Sequence, residues 1–142
     1  MEQHQQGAPA VLITRRETFS AAHRLRNPAW DDERNARVFG KDARGHGHTY
    51  TLEVTVKGRV DPETGMVLDL RDLRDLIREK IIEKTDHADL NADVDFLHGL
   101  LPTAENIVVA CWRQLAPALP AGQLYRLRLW ESENNSVEYY GE

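Results

Sequence analysis

Apolar and polar residues alternate with a period of two along two stretches of the chain. In Val11 to Leu25, Phe19, Ala21 and His23 fall on one face, and Ser20, Ala22 and Arg24 on the other. In residues 46–60, Tyr50, Leu52, Val54 and Val56 share a face opposite Thr49, Thr51, Glu53 and Thr55. Both stretches predict half-buried strands. Between them, Asn27 to Arg44 is charged, carries Pro28 and Gly40, and predicts a long loop. The run Asp61-Pro62-Glu63-Thr64-Gly65 is turn chemistry, and Met66 to Leu68 is predicted to pair back as a short strand.

The period then changes. Leu70, Leu73, Ile77 and Ile81 form a stripe at helical spacing, capped by Asp69 and running to about Lys84. Ile107, Cys111 and Leu115 form a second stripe, capped by Thr103 and broken by Pro117, Pro120 and Gly122. Leu124 to Trp130 and Val137 to Tyr140 read as a terminal hairpin around Ser132-Glu133-Asn134-Asn135. The order of elements predicts an antiparallel α+β fold with both helices on one sheet face.

Composition narrows the class. At ~100–200 residues per domain, 142 residues are one domain. Residues 11–142 carry the periodic patterns, and the polar residues 1–10 read as a disordered tail. A single cysteine excludes a disulfide framework and a cysteine-based structural zinc site. No apolar run reaches the ~18 residues of a membrane span, and the first residues lack the pattern of a secretory leader. A net charge of −5 argues against a nucleic-acid binder. The expectation that remains is a cytoplasmic protein with no nucleic-acid or membrane partner.

Among six histidines, His46-Gly47-His48 is the informative pair. On an extended backbone residues i and i+2 project the same way, and Gly47 leaves room for close approach. His23, on another strand, would complete three nitrogen ligands with an open fourth position, the pattern of a catalytic zinc. Taken alone, His-x-His near a strand is a weak signal and reads more readily as ordinary surface histidines. Asp86-His87 is either a proton-transfer dyad or a helix C-terminus followed by a turn. Glu105 suits the first turn of its helix, and Glu131 at a strand end either faces solvent or accepts paired N–H bonds from a planar heterocycle. Cys111 lies on an apolar stripe and reads as a core thiol. The basic residues Arg24, Arg26, Arg34, Arg37, Lys41 and Arg44 are diluted by acids; they read as a solvated loop or as a surface for a phosphorylated substrate.

Together, FSAAHRL (19–25), VFGK (38–41), GHGHTY (45–50), DPETGMVLDL (61–70), TDHADLN (85–91), PTAEN (102–106) and WESENNSVEYYGE (130–142) resemble one family. It is that of the 6-pyruvoyl-tetrahydropterin synthases and the related 6-carboxytetrahydropterin synthases, with the turn, VFGK and the ending closer to the pyruvoyl type. The resemblance implies a tunnelling fold: a four-stranded antiparallel sheet with two helices, three subunits closing a barrel, and two trimers stacking as a homohexamer. It implies Zn²⁺ held by His23, His46 and His48, and 7,8-dihydroneopterin triphosphate as substrate, with triphosphate eliminated and no external redox cofactor. Glu131 would anchor the pterin edge, Thr103 and Glu105 would line its pocket, and Asp86 and His87 would relay protons.

One position departs from the family pattern. The family's base is a cysteine soon after the Phe-Gly-Lys segment, whereas Asp42 follows Lys41 here. A carboxylate with an ordinary pKa of ~3.9 is a weaker base than a thiol at ~8.5, unless burial raises it by up to ~3–5 units. Three readings of Asp42 stand: it serves as the base; it redirects the product toward a 6-hydroxymethyl pterin; or proton abstraction is lost and the chain is an inactive pterin-binding module. A 6-carboxytetrahydropterin synthase of the deazapurine route is a separate alternative.

Overall fold

The structure is a computed structural model that describes residues 7–120 and 123–142. Most of the tail reading, residues 1–6, therefore lies outside the described residues. Strand β1 (Ala10–His23) pairs antiparallel with β2 (His46–Arg59) along its whole length, from Ala10 opposite Arg59 to His23 opposite His46. β2 pairs with β3 (Leu124–Trp130), and β3 with β4 (Ser136–Tyr139), giving an antiparallel sheet in the order β1-β2-β3-β4.

The alternation seen in the chain is the burial seen in space. Phe19, Tyr50, Leu52, Val54, Val56, Leu127 and Leu129 line one sheet face and are buried. Two helices cover that face. Helix α2 starts as Leu70–Ile77, widens into a π-helical stretch at Arg78–Ile82, and closes with Glu83–Thr85. Helix α3 (Ala104–Leu115) contributes Ile107, Val108, Cys111 and Leu115 to the same core, where α2 contributes Leu73, Ile77 and Ile81. No helix among the described residues is long and apolar enough to cross a membrane.

Two expectations need correction. The 27–44 stretch is not simply a loop: it holds a third helix, α1 (Asp32–Phe39), followed by a 3₁₀ turn at Gly40–Ala43. Asp31 caps α1 by accepting from the Arg34 backbone N–H at 2.8 Å, and Gly40 ends it in a left-handed conformation with φ 58°. The helix escapes a hydrophobic-stripe search because its fully buried residue is Asn35. In addition, Met66–Leu68 forms no strand. Both edges of β2 are already taken, by β1 and by the β3 side, so the segment only closes its turn through Asp61 N–H to Met66 O at 2.9 Å.

Asn35 holds α1 to the segment before it. Its Oδ1 accepts from the Asn27 backbone N–H at 2.8 Å, and its Nδ2 lies 3.0–3.3 Å from the carbonyls of Asn27, Trp30 and Asp31. Asn35→Ala is expected to cost about 2–4 kcal/mol, because several partly buried backbone groups lose their partner at once. A urea titration of both proteins measures it.

Asp69 caps α2 by accepting from the Arg71 backbone N–H at 2.8 Å. The hydrogen-bonded Arg71 guanidinium holds its carboxyl down to about 2. A depressed carboxyl stabilises the fold above its unfolded pKa, and that contribution fades as pH falls toward the folded value. The melting advantage of the wild type over Asp69→Asn is therefore expected to shrink between pH 5 and pH 2. Asparagine also caps, so the comparison isolates the charge.

Candidate active site

The core-facing rows of β1 and β2 end in histidines. His23 continues Phe19 and Ala21, and His46 and His48 precede Tyr50 in the buried row of β2. Pairing of His23 with His46 across the strands brings the three rings together, with centroids 4.6, 4.9 and 5.1 Å apart. One ligand nitrogen from each lies within 4.8 Å of the others. A Cβ at Gly47 would meet Ala21 O at 3.5 Å, an ordinary contact, so the site does not depend on glycine's small size there.

The donor set fits a divalent metal. His23 Nδ1–H donates to the Pro102 carbonyl at 2.8 Å, and His46 Nδ1–H to the Arg44 carbonyl at 2.7 Å. Each bond fixes the tautomer and leaves Nε2 with its lone pair, the arrangement that outer partners impose on metal-binding imidazoles. Burial lowers the pKa of His23, which favours the neutral form a metal requires. The Tyr50 hydroxyl sits 3.3 Å from His23 Nδ1, and burial, with the Glu131 charge behind it, keeps that hydroxyl protonated. Tyr50 and the Pro102 carbonyl are the supporting groups that reading the chain missed. A tyrosine two residues beyond His48 in a core-facing row was the available signal.

Carboxylates flank the triad on both sides. Asp42, on the 3₁₀ turn after α1, places Oδ1 3.9 Å from His46 Nε2. Glu131 follows Leu127 and Leu129 on the core-facing side of β3 and places Oε1 3.9 Å from His48 Nε2. Glu131 also lines a pocket of about 230 Å³ together with Thr103, Glu105 and Leu25. The Thr103 hydroxyl caps α3 by accepting from the Asn106 backbone N–H at 3.2 Å. The chain thus joins the two halves of the site: Pro102 holds the His23 ring, and the next residue enters the pocket.

Asp86 and His87 form a pair at 3.0 Å, Asp86 Oδ2 to His87 Nδ1. Asp86 also accepts from the Ser20 backbone N–H at 2.9 Å, the main cause holding its carboxyl below the ordinary value. His87 adopts φ 62°, a conformation that side-chain-bearing residues rarely take and that concentrates at functional positions. It persists because the 86–90 segment is laced to the edge of β1, with His87 N–H to Ser20 O at 2.6 Å and Ala22 N–H to Ala88 O at 3.0 Å. The His87 ring is exposed and shares a shallow depression with His48 and Gly47.

Other candidates fall elsewhere. Cys111 is fully buried, and burial pushes its thiol up to about 12, so it stays a core residue. His98 is exposed after a short 3₁₀ turn, and His4 lies outside the described residues. In the basic run, Arg34 lies over the Trp30 ring and Arg26 pairs with Asp32.

Fold and site together define a small α+β protein whose sheet ends in a three-imidazole centre beside a carboxylate-lined pocket. A family model described as 6-pyruvoyl tetrahydropterin synthase matches residues 12–142. The chain is 43% identical over 132 residues to the 6-pyruvoyl tetrahydrobiopterin synthase of Homo sapiens, covering 92% of this chain and 91% of that protein. To the enzyme of the same name from Poecilia reticulata it is 46% identical, again over 132 residues, covering 92% and 90%. The solved Caenorhabditis elegans 6-pyruvoyl tetrahydropterin synthase superposes with a TM-score of 0.89 at 34% identity, covering 95% of this chain and 98% of that one. The chain belongs to the 6-pyruvoyl tetrahydropterin synthase family and sides with its pyruvoyl type.

Proposed function

We propose that the protein is a zinc-dependent lyase that converts 7,8-dihydroneopterin triphosphate with loss of inorganic triphosphate, in tetrahydropterin biosynthesis. The observation that carries this reading is the convergence of His23, His46 and His48 beside the pocket of Thr103, Glu105 and Glu131. His23, His46 and His48 are assigned to the metal, which when bound supplies Lewis-acid stabilisation of negative charge on a substrate oxygen. Glu131 accepts paired N–H bonds from the amino-pyrimidinone edge, which orients the side chain toward the imidazoles. Asp42 takes a proton from a side-chain carbon, and Asp86 with His87 returns protons as the side chain rearranges. Triphosphate departs with the electron pair of its C–O bond, so the change in oxidation level within the product is internal and needs no outside oxidant.

The proposed assembly is a homohexamer of two trimeric barrels. Among the described residues β1 and β4 are the sheet edges, and ring closure would pair them. The proposed location is the cytoplasm, and the proposed partner is the small-molecule substrate alone. Incubating zinc-loaded protein with 7,8-dihydroneopterin triphosphate tests the reading. Release of inorganic triphosphate with a pyruvoyl-pterin mass is expected. No release above a metal-free control rejects a lyase, a hydroxymethyl-pterin mass supports redirected chemistry at Asp42, and a carboxy-pterin mass supports the 6-carboxytetrahydropterin synthase alternative.

A further inference from the structure

A buried hydroxyl needs an acceptor for its proton, and the Tyr50 hydroxyl has no free one among the described residues. The side chain is fully buried. Its oxygen is within hydrogen-bond range only of the two nitrogens of the His23 ring, at 3.3 Å from Nδ1 and 3.5 Å from Nε2. Near-equal distances set the oxygen against the ring as a whole, in line with neither nitrogen. Nδ1 carries the proton that goes to the Pro102 carbonyl at 2.8 Å, so it has no lone pair to offer. The Nε2 lone pair is the one the triad would give to a metal. The two carboxylates beside the triad do not take the proton up: Asp42 and Glu131 stand 3.9 Å from His46 and His48, and among the described residues neither accepts from Tyr50.

The ring that carries this hydroxyl is fixed. Tyr50 stacks on Phe19, with centroids 4.9 Å and planes 13° apart. It stands edge-on to His48 at 5.6 Å and to His23 at 6.0 Å, between two of the three imidazoles. A phenol is a donor at neutral pH. Three imidazoles leave a metal one open position, and a held donor in a dry site stabilises negative charge that grows there without having to reorganise. The unclaimed proton of Tyr50 therefore calls for an acceptor that arrives with the ligand.

We propose that the Tyr50 hydroxyl donates a hydrogen bond to the substrate side-chain oxygen seated at the triad, and that it stabilises the negative charge growing on that oxygen as the adjacent C–H proton leaves. The proposal rests on the substrate reading given above. It makes Tyr50 a catalytic residue of the same site as well as a neighbour of His23.

Tyr50→Phe keeps the ring and its stacking and removes only the hydroxyl. Two pterins are bound to zinc-loaded wild type and variant and followed by fluorescence. One is 7,8-dihydroneopterin, whose side chain carries hydroxyls; the other is 6-methyl-7,8-dihydropterin, with the same head and no side-chain oxygen. Wild type is expected to prefer dihydroneopterin. Tyr50→Phe should weaken dihydroneopterin about 3–10-fold, the loss of one hydrogen bond, and leave the methyl pterin unchanged. Turnover of the triphosphate at saturating substrate should fall further, by about 10²–10³-fold, because the bond strengthens as charge develops. Zinc affinity, measured by competition with a chelator, should stay close to wild type, whereas removing a group that supports a metal ligand costs about 10–100-fold. A loss of zinc affinity on that scale, equal weakening of the two pterins, unchanged dihydroneopterin affinity or unchanged turnover in Tyr50→Phe each overturns the proposal. Equal binding of the two pterins by wild type also overturns it, and leaves the pterin pocket standing. If wild type binds as expected and releases no triphosphate, the lyase reading fails while the hydrogen bond stands or falls on the binding results. Wild type that binds neither pterin overturns the substrate reading and the proposal together.

Discussion

A His48→Ala variant is expected to lose its bound metal and about 10³-fold or more of its turnover. His48 is one of three nitrogens that converge at the sheet end, and two imidazoles on neighbouring strands make an incomplete set for zinc. Lewis-acid stabilisation is worth several kcal/mol, and each 1.36 kcal/mol is a factor of ten in rate, which sets the size of the loss. The ring is half-buried near the start of β2 rather than central in the core, so the strands should still form. Metal content after dialysis, far-ultraviolet circular dichroism and triphosphate release check the three parts separately. A variant that keeps both its metal and its turnover would remove the triad from the mechanism.

Asp42→Asn is expected to lower turnover by about 10²–10⁴-fold with its metal retained, the usual weight of a positioned general base. Asp42 lies 3.9 Å from His46 Nε2 and is the carboxylate nearest the triad on the α1 side. Asparagine keeps the shape and removes the basicity. Asp42→Cys separates the remaining readings. A gain over wild type would mean that the aspartate impairs the reaction, and a loss would mean that the surrounding site is built for a carboxylate. A change of product mass with rate preserved would mean that this position selects the route. Single-turnover measurement of triphosphate release distinguishes these from a slower product-release step.

Much of the fold was legible in the chain because burial follows local period. The rows Phe19-Ala21-His23 and Tyr50-Leu52-Val54-Val56, the α3 stripe, Leu73, Ile77 and Ile81 of the α2 stripe, and the caps Asp69 and Thr103 stand where the pattern put them, whereas Leu70, in the first turn of α2, is exposed. Helix α1 was missed for a definite reason. Its start and stop signals, Asp31 and Gly40, were present, but it contributes no apolar stripe and is held instead by the amide of Asn35. The Met66–Leu68 strand failed because whether an apolar triplet finds an edge depends on what else has already paired there.

By itself the sequence determined the class of fold, the two faces of each long strand, and the pair His46 and His48 aimed in one direction. His23 as the third ligand, and Thr103 and Glu131 as groups of one pocket, were already expected from the chain and its family resemblance. The tertiary structure alone decided that a carbonyl 79 residues away sets the His23 tautomer and that the Tyr50 hydroxyl stands beside that ring. The division is physical: side-chain direction follows from neighbouring dihedral angles, which the local sequence constrains. Convergence of distant residues follows from strand register and helix packing, which many weak contacts across the whole core set together.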